Sequence, residues 1–279
     1  MKRLFRVVTL LTCLLLLMPT LAVASNESSK PKLDKDFTQE ELEARFQQIH
    51  SVMRKVHEKE ITHVDALNKL AKIGVFPAKG YIRNNNGDEI TIQSNPDYAI
   101  WLPTAFALKD TETGYWYAGV HFFWKDPAYW QSDFPNPWPA QPGVGVNIGG
   151  YDGFGIAFSR GINRVTQTFD VYDTHANRTS YSTPSKSSSY GVGYTKQDYG
   201  YKMSDGTYDY NWDSGYLGIY FTPQEPGQEM SVWQEMAHTW ETTSVSITGI
   251  SYIGISWQFN KLENRWNAVA PYAYVFTPY

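Results

Sequence analysis

The sequence predicts an all-β protein with a small N-terminal helical segment: an antiparallel β-sandwich, of jelly-roll or Greek-key type, with roughly ten strands. Three observations lead there. Apolar residues recur at helical spacing only between Phe37 and Gly74. Beyond Ala78 the apolar period falls to two, and Tyr, Trp, Phe, Thr, Ser and Gly dominate. Turn-forming residues separate the alternating runs.

The chain opens with Lys2, Arg3 and Arg6, then an apolar run from Val7 to Met18 broken only by Thr9 and Thr12, then Pro19 and the triplet Ala22-Val23-Ala24. A basic start, an apolar centre and a small-residue cleavage site make a secretory signal over residues 1–24, cut after Ala24. The apolar run is short of the ~20 residues a membrane-spanning helix needs. The expected location is extracellular. The one cysteine, Cys13, lies inside this segment and follows Thr12 rather than the small residue of a lipoprotein signal, so neither a lipid anchor nor a disulfide is expected. Cleavage removes three of 24 basic residues and none of 28 acidic ones, leaving 21 − 28 = −7. Nucleic acid and anionic membranes are poor electrostatic partners for such a chain.

Residues 25–36 are polar and read as a flexible leader. Residues 37–76 read as a helical hairpin. Thr38 and Glu41 form a capping box ahead of the stripe Leu42, Phe46, Ile49, Met53 and Val56. Thr62 and Asp65 start a second helix whose apolar positions are Ile61, Val64, Leu67, Leu70 and Ile73, closed by Gly74 and Pro77.

Residues 77–279 form the expected sandwich. Asn86-Gly87 and Asp152-Gly153 are dipeptides that tolerate the positive φ of tight hairpin turns; the second would join Val144, Val146 and Ile148 to Phe154, Ile156 and Phe158. Near the end, apolar residues occupy odd positions from Val245 to Phe259 and even ones from Trp266 to Phe276, which predicts a closing hairpin with its loop near Glu263-Asn264. Further strands are expected near 98–108, 115–124, 164–172, 189–201 and 216–222.

No motif fixes a reaction. His50, His57 and His63 fail as a metal set: His57 and His63 lie about 240° apart around a helix, and His50 and His57 about 10.5 Å apart along it, so solvated helix histidines are expected. A Ser-His-Asp site would draw on His121, His175 or His238, with Asp173 close to His175. Asp209, Asn211 and Asp213 look like half an EF-hand loop, but Ser214 holds its glycine position and Tyr220 its closing glutamate, so a polar strand face is the expectation. Glu235 and Glu241 are the carboxylates a glycosidase would use, with Asp170 or Asp198 as other partners; on one extended strand the pair would be ~20 Å apart, too far for either glycosidase geometry. Neither a metal nor a cofactor is expected.

The most informative segment runs from Trp124 to Gly143, where five prolines stiffen a loop bearing Trp124, Tyr129, Trp130, Phe134 and Trp138 beside Asp, Asn and Gln. Rings turned outward would stack on a sugar, and rings turned inward would cap the sandwich. The function expected is a secreted binding module for an extracellular or cell-surface carbohydrate or related ligand, with Trp124, Tyr129, Trp130 and Trp138 as its contact residues. Two rival classes stand beside it: a β-hairpin pore former, using the Ser/Thr-rich stretch from Arg178 to Ser189 or a single tilted strand from Ser244 to Phe259, and a secreted glycan-active hydrolase.

Overall fold

The computed structural model describes residues 36–84, 99–127, 130, 133 and 142–279. Two helices come first, α1 (Gln39–His57) and α2 (His63–Ala71). The strands follow as β1 (Val75–Pro77), β2 (Gly80–Asn84), β3 (Ile100–Trp101), β4 (Phe106–Asp110), β5 (Trp116–Trp124), β6 (Gly145–Phe158), β7 (Ile162–Tyr172), β8 (Arg178–Tyr181) and β9 (Lys186–Ser188). Then come β10 (Gly191–Lys202), β11 (Tyr208–Tyr210), β12 (Ser214–Pro223), β13 (Met230–Thr239), β14 (Val245–Ser251), β15 (Gly254–Phe259), β16 (Arg265–Val269) and β17 (Tyr272–Phe276).

The protein is mostly β, and its sheets are antiparallel and open rather than closed into a barrel. One sheet runs β1-β4-β5-β12-β7-β8 with β3 beside β5; the other runs β11-β10-β6-β13-β17-β2, with β16 beside β13 and β9 beside β10. Alternation assigns the faces. In β5, Trp116, Ala118, Val120, Phe122 and Trp124 enter the core between the sheets, while Tyr117 faces the helices. In β12, Leu217, Ile219 and Phe221 enter that core while Tyr216 and Tyr220 face the helices. The centre of the first sheet, β5 and β12, is therefore buried on both sides.

Both helices start where the sequence places them. Thr38 and Glu41 exchange capping bonds at 3.2 and 2.9 Å, and Thr62 Oγ1 accepts from Asp65 N. Leu42, Phe46, Ile49 and Met53 of α1 and Ala66 and Leu70 of α2 are buried, each large side chain contributing ~1.5–3 kcal/mol. Val64 is exposed instead, because Ala66 and Leu70 set the inward face of α2. Gly218 on β12 lets the layers meet: a Cβ there would collide with the Tyr117 hydroxyl and the His50 ring. Arg45 latches α1 to the end of β4, giving Asp110 two bonds at 2.8 and 2.9 Å.

Three expectations are corrected. Asp152-Gly153 is no turn: β6 runs straight through it, Asp152 is buried, and Gly153 leaves room for the Trp257 ring that lies across the strand. The closing hairpin is divided differently. β14 and β15 pair only with each other, turning at Tyr252-Ile253, whereas β16 and β17 both join β13. The segment from Ser244 to Phe259 is thus two strands of seven and six residues, each shorter than the ~9–11 a membrane-spanning strand needs. Its apolar side packs on the outer face of the second sheet, against Ala157, Trp233 and Ala273. Lastly, His50 and His57 are buried rather than solvated, because the strand face under α1 offers polar partners. The expected turn at Asn86-Gly87 lies outside the described residues.

Candidate functional site

A cleft of about 560 Å³ lies where the C-terminal end of α1 and the start of α2 meet β3, β4 and β5. Its walls are apolar: Val56 and Leu67 from the helices, Ala105, Phe106 and Leu108 around β4, Phe123 from β5, and Trp101 and Ile82 at the rim. Trp101 is 55% exposed and stacks on Phe123 with centroids 5.4 Å apart. The imidazoles of His57, His63 and His121 also line it.

Chain geometry brings two of these rings together. His57 sits four residues beyond Met53, so it continues the buried stripe of α1. His121 occupies the same face of β5 as Tyr117. Their rings stack 5.3 Å apart, with the two Nδ1 atoms at 3.0 Å, and His57 Nε2 lies 3.2 Å from Ser214 Oγ. One Nδ1 therefore carries a proton and the other accepts it. In either tautomer pair, both His57 nitrogens are engaged, and among the described residues His121 Nε2 is the ring nitrogen left for a ligand.

The pair is uncharged at physiological pH. Burial, with His121 and then Lys59 adding to it, holds His57 down to about 2. Burial, followed by His63 and His50, holds His121 down to about 3. An apolar cleft with one neutral, hydrogen-bonding imidazole nitrogen can hold a small molecule by burial and orient it by one polar contact. Serine hydrolysis is not assembled here: the Ser214–His57 pair is completed by a second imidazole instead of a carboxylate.

The residues singled out from sequence fall elsewhere. Trp124 is 9% exposed, its indole donating to Trp212 O at 3.0 Å, and Trp130 is 1% exposed and stacked on Tyr210. Neither ring offers a free face; Tyr129 and Trp138 lie outside the described residues. Glu235 is buried under the β14–β15 hairpin, accepting bonds from Trp233 Nε1, Ile255 N and Trp257 Nε1. Burial outweighs those bonds and pushes it up to about 7. Glu241 stands in the loop after β13, bonded to Asn264, so the two acids do not share a site. Asp170 is taken by His50 and Ser180. Asp209 bonds Thr174, and Asn211 bonds the backbone at Gln197 and Tyr199, so they do not converge as calcium ligands.

Sequence reasoning read His57 as solvated, offered His121 only as a base for a Ser-His-Asp site, and missed Trp101. The signal for His57 was its place on the apolar stripe, where a solvated residue would break the pattern. Pairing it with His121, 64 residues away, required the fold. No known protein family matches the chain, and no curated protein matches its sequence.

Proposed function

We propose that this chain is an exported binding protein that takes a small, largely apolar or aromatic molecule into the cleft of His57, His121 and Trp101. The observation that carries this reading is the cleft itself: about 560 Å³ of mostly apolar wall, at which His121 Nε2 has no hydrogen-bond partner among the described residues. That volume falls in the range of small-molecule sites, which combine apolar walls with a few placed polar groups. The ligand seats against Phe106, Phe123 and Trp101, and one of its polar atoms meets His121 Nε2. Export is supported by the basic, apolar and small-residue order of residues 1–24. A glycan ligand on the aromatic-proline loop draws less support, since two of the four rings expected to contact it, Trp124 and Trp130, are committed to the core.

The test is a fluorescence titration with 1-anilinonaphthalene-8-sulfonate, together with native mass spectrometry of the purified protein to find a co-purifying molecule. Leu67→Trp, which fills the cleft from α2, is expected to weaken one-site binding at least tenfold with circular dichroism and Tm unchanged. Equal affinity in a folded Leu67→Trp variant sinks the reading. A glycan screen run beside it gives the carbohydrate alternative its own outcome.

A further inference from the structure

A second constellation lies inside the sandwich, at the end where β10, β6 and β13 run side by side. The pairings Lys196↔Asp152 and Ala237↔Gly153 set Asp152 between Asp198 and His238. All three side chains are buried, at 0, 0 and 1% exposure. One donor atom from each lies within 4.8 Å of the others. We propose that Asp152, Asp198 and His238 form a site for a divalent transition metal of the zinc class, holding it inside the β-sandwich.

Charge is the first argument. Asp133 joins the group through His238 Nε2 at 2.9 Å, so three carboxylates share one imidazole. With all three carboxylates ionised, the cluster would carry −2 even with His238 protonated. No lysine or arginine pairs with any of the three aspartates among the described residues. Uncompensated buried charge costs several kcal/mol per ion, so the core must supply either extra protons or a cation. Asp198 sharpens the point. It is fully buried, yet apart from its own backbone N–H its contacts are long, 3.3 Å from the Tyr210 hydroxyl and 3.5 Å from Gln197 Nε2, and that amide has closer partners at 2.8 Å. Its carboxylate is poorly served by donors and turned toward Asp152 and His238.

The donor set is the second argument. One imidazole nitrogen with two carboxylates suits zinc, cobalt or manganese; calcium prefers six to eight oxygens. His238 would bind through Nδ1 while its Nε2–H donates to Asp133, the carboxylate–histidine arrangement that fixes the tautomer at metal sites. Thr239 N holds Asp152 Oδ1 at 2.8 Å and leaves Oδ2 for the ion. Nδ1 and Oδ2 are now 2.5 Å apart, a distance for sharing a proton. Zinc bonds of ~2.0–2.1 Å in a tetrahedral site would hold them roughly 3.3 Å apart, so loading moves them by under ~1 Å.

The experiment uses the purified protein stripped with a chelator and then offered one equivalent of Zn²⁺ or Co²⁺, with Ca²⁺ and Mg²⁺ as controls. Expected are one zinc retained per chain after gel filtration, a Tm increase of roughly 5 °C or more with ion in excess, and a visible absorption band with cobalt. Asp198→Asn should fold and lose all three. His175→Asn, which disrupts the separate trio of half-buried Asp173 and Asp209 with exposed His175, should keep them. The proposal is overturned if the parent retains under a tenth of an equivalent and its Tm ignores zinc, cobalt and manganese, which makes the cluster a proton-holding one. It also fails if His175→Asn abolishes the signals or a folded Asp198→Asn preserves them. Should Asp198→Asn not fold, the parent and His175→Asn measurements decide alone.

Discussion

Trp130 lies flat on Tyr210, with ring centroids 4.9 Å apart and planes at 18°. Three residues on, Asp133 bonds His238 inside the sandwich. Trp130 and Asp133 therefore plug one end of the core.

Trp130→Ala should cost about 3 kcal/mol or more, as expected when a fully buried indole leaves a cavity. Urea denaturation followed by circular dichroism measures it. A loss under ~1 kcal/mol would mean that the ring is not part of the core in solution.

The Arg45–Asp110 pair makes a separable prediction about the helices. Burial alone would raise Asp110, but bonds from Arg45, Tyr220 and Thr113 outweigh it and hold the carboxyl below its ordinary value. Stability from this group is present above the unfolded pKa of about 4 and is lost as pH falls through the folded one. Asp110→Ala takes from Arg45 its buried partner, leaving it the exposed Glu112, Gln48 and the Ile73 carbonyl, and also strips Tyr220 and Thr113 of their acceptor, so it should cost about 3 kcal/mol. Limited proteolysis is expected to cut the Asp110→Ala variant first within residues 37–74, ahead of any strand. Simultaneous cleavage throughout would show that the helices do not detach as a unit.

Two groups pull the pH dependence in opposite directions. His121 is held near 3 when folded and returns to an ordinary value near 6.5 on unfolding, so it takes up a proton on unfolding between those limits, and stability rises with pH there. Glu235 is held near 7 and returns to about 4.5, so it releases a proton on unfolding in that window, and stability falls as pH rises. Relative to the parent, His121→Asn should lower the slope of unfolding free energy by about 1.4 kcal/mol per pH unit between pH 4.5 and 6.5, and Glu235→Gln should raise it by a similar amount. Denaturation at half-unit pH steps checks both signs. Slopes that match the parent's would contradict the burial of these side chains.

Local rules carried the helices. Capping residues and a stripe of four buried positions fix α1 whatever lies beneath it, and Thr62 does the same for the start of α2. The strands near 116–124, 162–172, 191–202 and 214–223 were legible because one face of each alternates into the core. Asp152-Gly153 misled because a residue pair that suits a turn also suits a buried carboxylate beside a strand crossed by Trp257; only the partner strands distinguish the two. The cleft was illegible for a related reason. His57, Trp101 and His121 come from one helix and two strands, and alternation along any one segment says nothing about which rings converge.

The position of β12 has a consequence for how the chain reaches this state. It lies between β5 and β7, pairing Leu217 with Val120 and Phe169, so the centre of the first sheet stays open until residue 223 is available. The second sheet likewise waits for β13, which sits between β6 and the last two strands. Pairings this distant in sequence make loop closure the slow step, and sandwiches dominated by them fold in milliseconds to seconds rather than microseconds. The helices can form early but have no surface to cover until Tyr117, Tyr216 and Tyr220 are assembled beneath them. A chain truncated before β12 should therefore remain an open, aggregation-prone intermediate.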